Sequence, residues 1–179
     1  MTTPIFTRLL SHAEFGAYNN YISWLSFLTI FITLNLESTL ISARYDYKQY
    51  FDEYILSMLA LSSINTLVWG LIVNLFQKAV TSFLELDLRY INIMLIYSLF
   101  TPAITMFQRR EMYFFEYKKN VLTSVFLAVG TAMLSVLLVI NLPNRLTGRI
   151  LGAALPSVLL GALFYVFFII RGQKVKSCY

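Results

Sequence analysis

Few side chains in this sequence could do chemistry, and they stand far apart. The carboxylate of Glu37 follows the amide of Asn35 near the end of a long apolar run, with Arg44 a little further on. Two readings of Glu37 are open. Either it faces an internal cavity as a site for protons or a coupling ion, or it reaches the membrane interface or pairs with Arg44. Depth sets the penalty on an intramembrane charge, and Glu37 stands near an edge, which favours the second. Asn65, Asn74 and Asn92 offer either the lining of a hydrated cavity or, more simply, hydrogen bonds between helices. Arg8 could meet a phosphate or, more simply, anchor the chain at an interface. Catalysis is not expected. There is no Gly-rich phosphate loop, no Cys/His cluster and no Ser/His/Asp set. The single cysteine, Cys178, cannot form an internal disulfide, and His12 alone cannot build a metal site. The sequence therefore predicts a protein that is not an enzyme and needs no cofactor.

The elements that must position these residues are set by where charge is missing. Five stretches contain no Asp, Glu, Lys or Arg: 15–36, 54–77, 90–108, 120–144 and 150–170. Together they hold 111 of the 179 residues and none of the 23 charges. A hydrocarbon core about 30 Å thick needs roughly 20 apolar residues at 1.5 Å each. Each stretch is long enough, and a charge at mid-bilayer costs about 2.5–3.5 kcal/mol even on a lenient scale. Backbone groups in lipid must bond within their own segment, so the stretches must be helical. The expected fold class is an all-α membrane protein, a bundle of about five transmembrane helices with spans near 15–41, 54–77, 90–108, 120–142 and 150–170. Apolar residues at 58% and a mean hydropathy of +0.68 agree. The net charge of +5 could suggest nucleic acid, but the basic residues sit in short loops between spans, so the expected partner is the lipid bilayer and not nucleic acid.

Local signals mark several boundaries. Ser11-His12-Ala13-Glu14 is a capping-box pattern, and Leu10 could staple to Phe15, so the first helix should begin near Ser11 and end near Ser42. Pro4, Arg8, Leu9 and Leu10 suggest a short amphipathic entry before it. Ser62, Thr66, Gly70 and Asn74 recur every four residues, a face suited to close helix contact in lipid. Pro102 and Pro156 each remove one backbone hydrogen bond inside a span. One side of the membrane collects Arg8, Lys78, Arg89, Arg145 and Arg149, and the other collects the remaining nine basic residues. The positive-inside rule then puts the carboxyl end in the cytoplasm and Met1 outside. The basic cluster Arg109, Arg110, Lys118 and Lys119 is accounted for by this topology, with attraction to anionic lipid as the alternative.

Several short pieces also carry a resemblance. Thr3-Pro4-Ile5-Phe6-Thr7-Arg8-Leu9-Leu10-Ser11 followed by Glu14-Phe15-Gly16 resembles an element near the start of polysaccharide flippases. These are the O-antigen and capsule repeat-unit translocases of the multidrug/oligosaccharidyl-lipid/polysaccharide exporter superfamily. The likeness continues through Ser23-Trp24, Thr33-Leu34-Asn35-Leu36, Leu99-Phe100-Thr101-Pro102-Ala103, Phe115-Glu116-Tyr117-Lys118 and Arg149-Ile150-Leu151-Gly152, in the family's order. The resemblance implies a transporter that flips undecaprenyl-diphosphate-linked oligosaccharide across the bacterial inner membrane, through a cavity between two helical bundles. It implies Arg8 and Arg44 as positions that could meet the pyrophosphate, with Asn35, Glu37 and Asn65 as further substrate-binding candidates. Members of that family carry one span before the matched element and a second bundle afterwards. The expectation is thus a partial first bundle, inactive alone, whose partners would be a second half-transporter chain or a polysaccharide polymerase. The competing expectations are a multidrug-type antiporter and a non-transporting structural subunit of an envelope polysaccharide assembly complex.

Overall fold

The computed structural model describes residues 10–47 and 49–176, with side chains as far as Arg171. Its elements are α1 (His12–Thr33), a 3-10 turn (Leu36–Thr39), α2 (Leu40–Asp46), α3 (Phe51–Leu75), α4 (Gln77–Leu84), α5 (Leu88–Tyr113), α6 (Tyr117–Asn141) and α7 (Arg145–Lys176). Among the described residues there is no strand. Four of the helices, α3, α5, α6 and α7, are each long and apolar enough to cross a membrane, and α1 with the bent segment after it makes a fifth candidate. This is an all-α membrane bundle. Its outer faces carry large apolar side chains such as Leu71, Leu122, Ile140 and Leu163, each more than 60% exposed, a surface suited to lipid.

The sequence signal for the start of α1 holds in detail. Ser11 Oγ accepts from the Glu14 amide at 3.3 Å while the Glu14 carboxylate accepts from the Ser11 amide at 2.8 Å, the reciprocal pairing of a capping box. Leu10 and Phe15 pack in one small cluster with Val139. The end of that helix differs from expectation. A continuous helix to Ser42 is replaced by a break, because Leu34 and Asn35 both adopt left-handed backbone (φ 55° and 46°), and the chain bends by 52° before α2. Asn tolerates this conformation better than most residues; Leu does not, at a cost of roughly 1–2 kcal/mol. Upstream, Ser23, Ser26, Thr29 and Thr33 each donate to the carbonyl four residues back, a pattern that weakens and bends helices.

A break in lipid leaves carbonyls that need partners. Asn65 of α3 supplies them: its Nδ2 donates to Phe31 O at 3.0 Å and Ile32 O at 2.7 Å. Its amide is thus engaged in interhelical hydrogen bonding across the break. Asn65→Leu is expected to destabilise the bundle by about 1–3 kcal/mol, since two carbonyls lose their donor. Thermal unfolding in detergent would check this; an unchanged midpoint would show that water reaches the break.

Helix α5 is the hub. Over half (56%) of its most apolar stretch is buried, against 17% for α6, although α5 is the less hydrophobic of the two. In lipid the most apolar helices face outward and the more polar one is enclosed, since apolarity does not drive helices together there. α7 packs along both α6 and α5. Two apolar cores result. One joins Tyr21, Val73, Ile91, Met94 and Ile150; the other, at the opposite end, joins Leu40, Ile55, Leu59, Met106 and Phe168. The Ser62 to Asn74 face is used in part: Ser62 and Thr66 are buried, while Gly70 has open space beside it and Asn74 is exposed. Both α5 and α7 continue as helices through Pro102 and Pro156. Between α3 and α5 lies α4, whose apolar and polar residues fall on different faces.

Candidate functional site

A cleft of mixed polar and apolar lining, with room for a ligand, opens where α1, α5, α6 and α7 meet. Its volume is about 410 Å³, and Tyr18, Tyr21, Tyr97, Thr131, Arg149 and Ser157 give it its chemistry. Tyr18 and Tyr21 share one face of α1 because they are three residues apart. Arg149 stands one turn into α7, whose start is capped by Asn144 Oδ1 accepting from the Thr147 amide at 3.1 Å. Its guanidinium lies 4.9 Å from the centre of the Tyr18 ring, a cation–π arrangement that holds it against the wall. The back of the cleft is made of small residues, among them Ala128, Ala132, Ala153 and Ala154, and their size leaves the space. A half-buried arginine ringed by phenols and hydroxyls suits an anionic, hydroxyl-rich ligand. Guanidinium binds phosphate in a forked geometry, and the neutral donors suit sugar hydroxyls.

At the other end of the bundle a network of charges ties four helix ends. Arg110 Nε donates to Asp52 Oδ1 at 2.6 Å and Nη2 to Oδ2 at 3.1 Å. Arg110 also pairs with the fully buried Glu111, which Lys119 approaches at 3.4 Å, and Arg171 stands 3.6 Å from Asp52. Arg110 was expected in a loop. It and Glu111 are helical because α5 runs on to Tyr113, five residues beyond the end of its charge-free stretch at Gln108. The network explains part of the basic cluster as packing: Arg110 and Lys119 hold acidic partners, and Arg110 also lies over the Phe114 ring at 4.9 Å.

The five residues singled out from the sequence are not gathered at one place. Arg8 lies outside the described residues. Asn35 is exposed and turns the backbone. The Glu37 carboxylate accepts from Thr105 Oγ1 at 3.1 Å, in a polar pocket of about 310 Å³ shared with Gln108, Arg109, Asn120 and Ser124. It does not pair with Arg44, whose guanidinium sits 5.7 Å and 5.8 Å from the Tyr113 and Phe115 rings. Asn65 serves the break in the first span. The cleft residues were missed. Arg149 was counted as a loop charge and as part of one resembling piece, with no role in a site, though its place beside an apolar run, with Tyr18 and Tyr21 on one face of a distant helix, was the signal available. Among the described residues no three His, Cys, Asp or Glu side chains converge to hold a metal ion.

A family model described as polysaccharide biosynthesis protein matches residues 1–178. The chain belongs to that family. No curated protein and no solved structure matches it. Membership in the polysaccharide biosynthesis family, together with the helical bundle, makes this a multi-pass membrane protein with a role in polysaccharide biosynthesis or transport.

Proposed function

We propose that this polysaccharide biosynthesis protein takes part in moving a lipid-linked oligosaccharide, an undecaprenyl-diphosphate-linked repeat unit of O-antigen or capsule type, across the bacterial inner membrane. It does so without chemically altering its cargo. The observation that carries this reading is the cleft around Arg149, a polar surface with one strong cation among membrane-crossing helices. Arg149 stands just before the apolar stretch 150–170, beside membrane-crossing helices, where a guanidinium can receive an anionic headgroup. Its phosphate-binding geometry fits the diphosphate, and the surrounding phenols and hydroxyls fit the sugar. The four helices wall an open cleft, and a polar path past about 30 Å of hydrocarbon must be enclosed. Further helices, on a second bundle or a partner chain, complete it. The expected orientation keeps the carboxyl end in the cytoplasm.

The test is binding. Purified chain in detergent should retain an undecaprenyl-diphosphate-linked oligosaccharide, and Arg149→Ala should weaken that binding about tenfold or more, with Arg149→Lys intermediate. Equal affinity in Arg149→Ala, with helicity unchanged, would remove the cleft from the transport path. In cells lacking their own flippase the chain alone should not restore surface polysaccharide. Full rescue would overturn the need for a second wall.

A further inference from the structure

We infer that a second, wholly apolar groove in the bundle is a seat for one acyl chain of a bilayer phospholipid. The groove encloses about 530 Å³ between α1, α3, α4 and α5, and its lining is entirely aromatic and aliphatic, with Trp24, Leu28, Trp69, Val80, Phe83 and Met94 prominent. From Trp24 to Ile32 it follows α1 for about 12 Å, at 1.5 Å per residue. A void of this kind in a water-soluble protein would collapse or await a partner. In a bundle surrounded by lipid, the material at hand to fill it is hydrocarbon, and an empty groove forfeits dispersion contacts along its whole length.

Helix α4 shows which lipid. Ala79, Val80, Phe83 and Leu84 line the groove, while Lys78, Thr81 and Ser82 do not, so this short helix lies with its apolar side on the groove and its polar side away. Such a helix rests at the headgroup level of a bilayer. It is tied to α1 by Asn20 Nδ2 donating to Leu84 O at 3.2 Å and by the Trp24 and Phe83 rings, 5.5 Å apart. One end of the groove therefore lies beside headgroups, with the exposed Lys78 next to it. The groove shares no lining residue with the Arg149 cleft. The two use faces of α1 separated by roughly a quarter turn. A lipid whose head occupied the cleft would have to turn around α1 to lay its tail here. The occupant is a lipid with its own head at α4, an ordinary phospholipid, and the inference stands independently of the transport reading.

The chain carries its own reporters, because its only two tryptophans, Trp24 and Trp69, both line the groove. Full-length protein in detergent micelles would be titrated with phosphatidylcholine bearing a dibrominated acyl chain, which quenches tryptophan on contact. Quenching should saturate near about one lipid per chain, and Ala79→Phe, which fills the groove, should shift the titration about fivefold or more to higher lipid. Leu28→Phe serves the same purpose should Ala79→Phe fail to fold, as read from helicity. Val125→Phe, on an exposed face of α6 away from the groove, should leave the titration unchanged. Quenching that rises without saturating and is identical in the filled variants would overturn the inference. So would displacement of the brominated lipid by polyprenyl phosphate but not by unlabelled phosphatidylcholine, or a dimer that shields both tryptophans from quenching.

Discussion

Replacing Gly152 by valine is expected to break the α6–α7 pairing, destabilising the bundle by about 3 kcal/mol or more, or preventing its folding. The reason is backbone against backbone. A Cβ at position 152 would fall on Ser135 Cα, with Ser135 N at 2.6 Å and the Leu134 carbonyl carbon at 2.9 Å. No rotamer change relieves such contacts, so one helix must move. A Cβ at Gly148, one turn earlier, would meet Leu138 O at 2.6 Å, and the two glycines have the spacing that lets membrane helices approach closely. Since lipid is as apolar as the side chains, α6 and α7 gain nothing from hydrophobic exclusion, and the close packing is what holds them. Gly130 provides the control, because a Cβ there meets only the Pro156 side chain at 3.5 Å, and Gly130→Ala should be tolerated. Unfolding in mixed micelles of increasing dodecyl sulfate would measure both. A Gly152→Val protein as stable as the parent would show that the helices do not meet there.

The second large effect is expected from Glu111→Ala. Its side chain is only 2% exposed, and it faces Arg110 and, at 3.4 Å, Lys119. Removing it strips one partner from the buried guanidinium of Arg110, and breaking a buried pair in this way typically costs about 3–5 kcal/mol. Asp52 remains as a partner, which places the expected loss at the lower end, about 3 kcal/mol. Glu116→Ala should cost almost nothing, because its carboxylate is half exposed and its pairing with Lys119 at 3.2 Å is a surface contact. The same denaturation experiment separates the two variants. Comparable stability for both would mean that water enters the network. A double-mutant cycle between Asp52 and Arg110 should return a coupling of about 1–3 kcal/mol, as expected for a two-point contact joining α3 to α5.

Much of the fold was legible in the residues. Charge-free stretches announced membrane-crossing helices because the penalty for a charge in hydrocarbon acts on each residue separately, whatever its neighbours. The capping box at Ser11 and Glu14 was readable for a similar reason: a helix start is decided by side chains three residues apart. The break at Leu34–Asn35 was not readable, because apolarity continues through it and only the run of back-bonding hydroxyls hinted at a weak point. The candidate site was barely legible. Glu37 drew notice as a carboxylate near a span, but whether it met Arg44 or Thr105 depended on how α1 bends and where α5 passes. Arg149 was visible as a boundary charge within a resembling piece, not as a site residue.

The sequence by itself determined the solvent, the class of fold and the approximate places where helices begin, since each follows from one residue or a few close neighbours meeting lipid or water. Only the tertiary structure decided which faces meet. Arg110 finds Asp52 across 58 positions, Asn65 finds the carbonyls of Phe31 and Ile32, and Arg149 joins Tyr18 because the helices that carry them pack side by side. In a bundle whose helices are apolar on every side, hydrophobic pattern cannot say which face turns inward. Small residues, broken backbone and polar pairs make that choice, and they act only between segments already brought together.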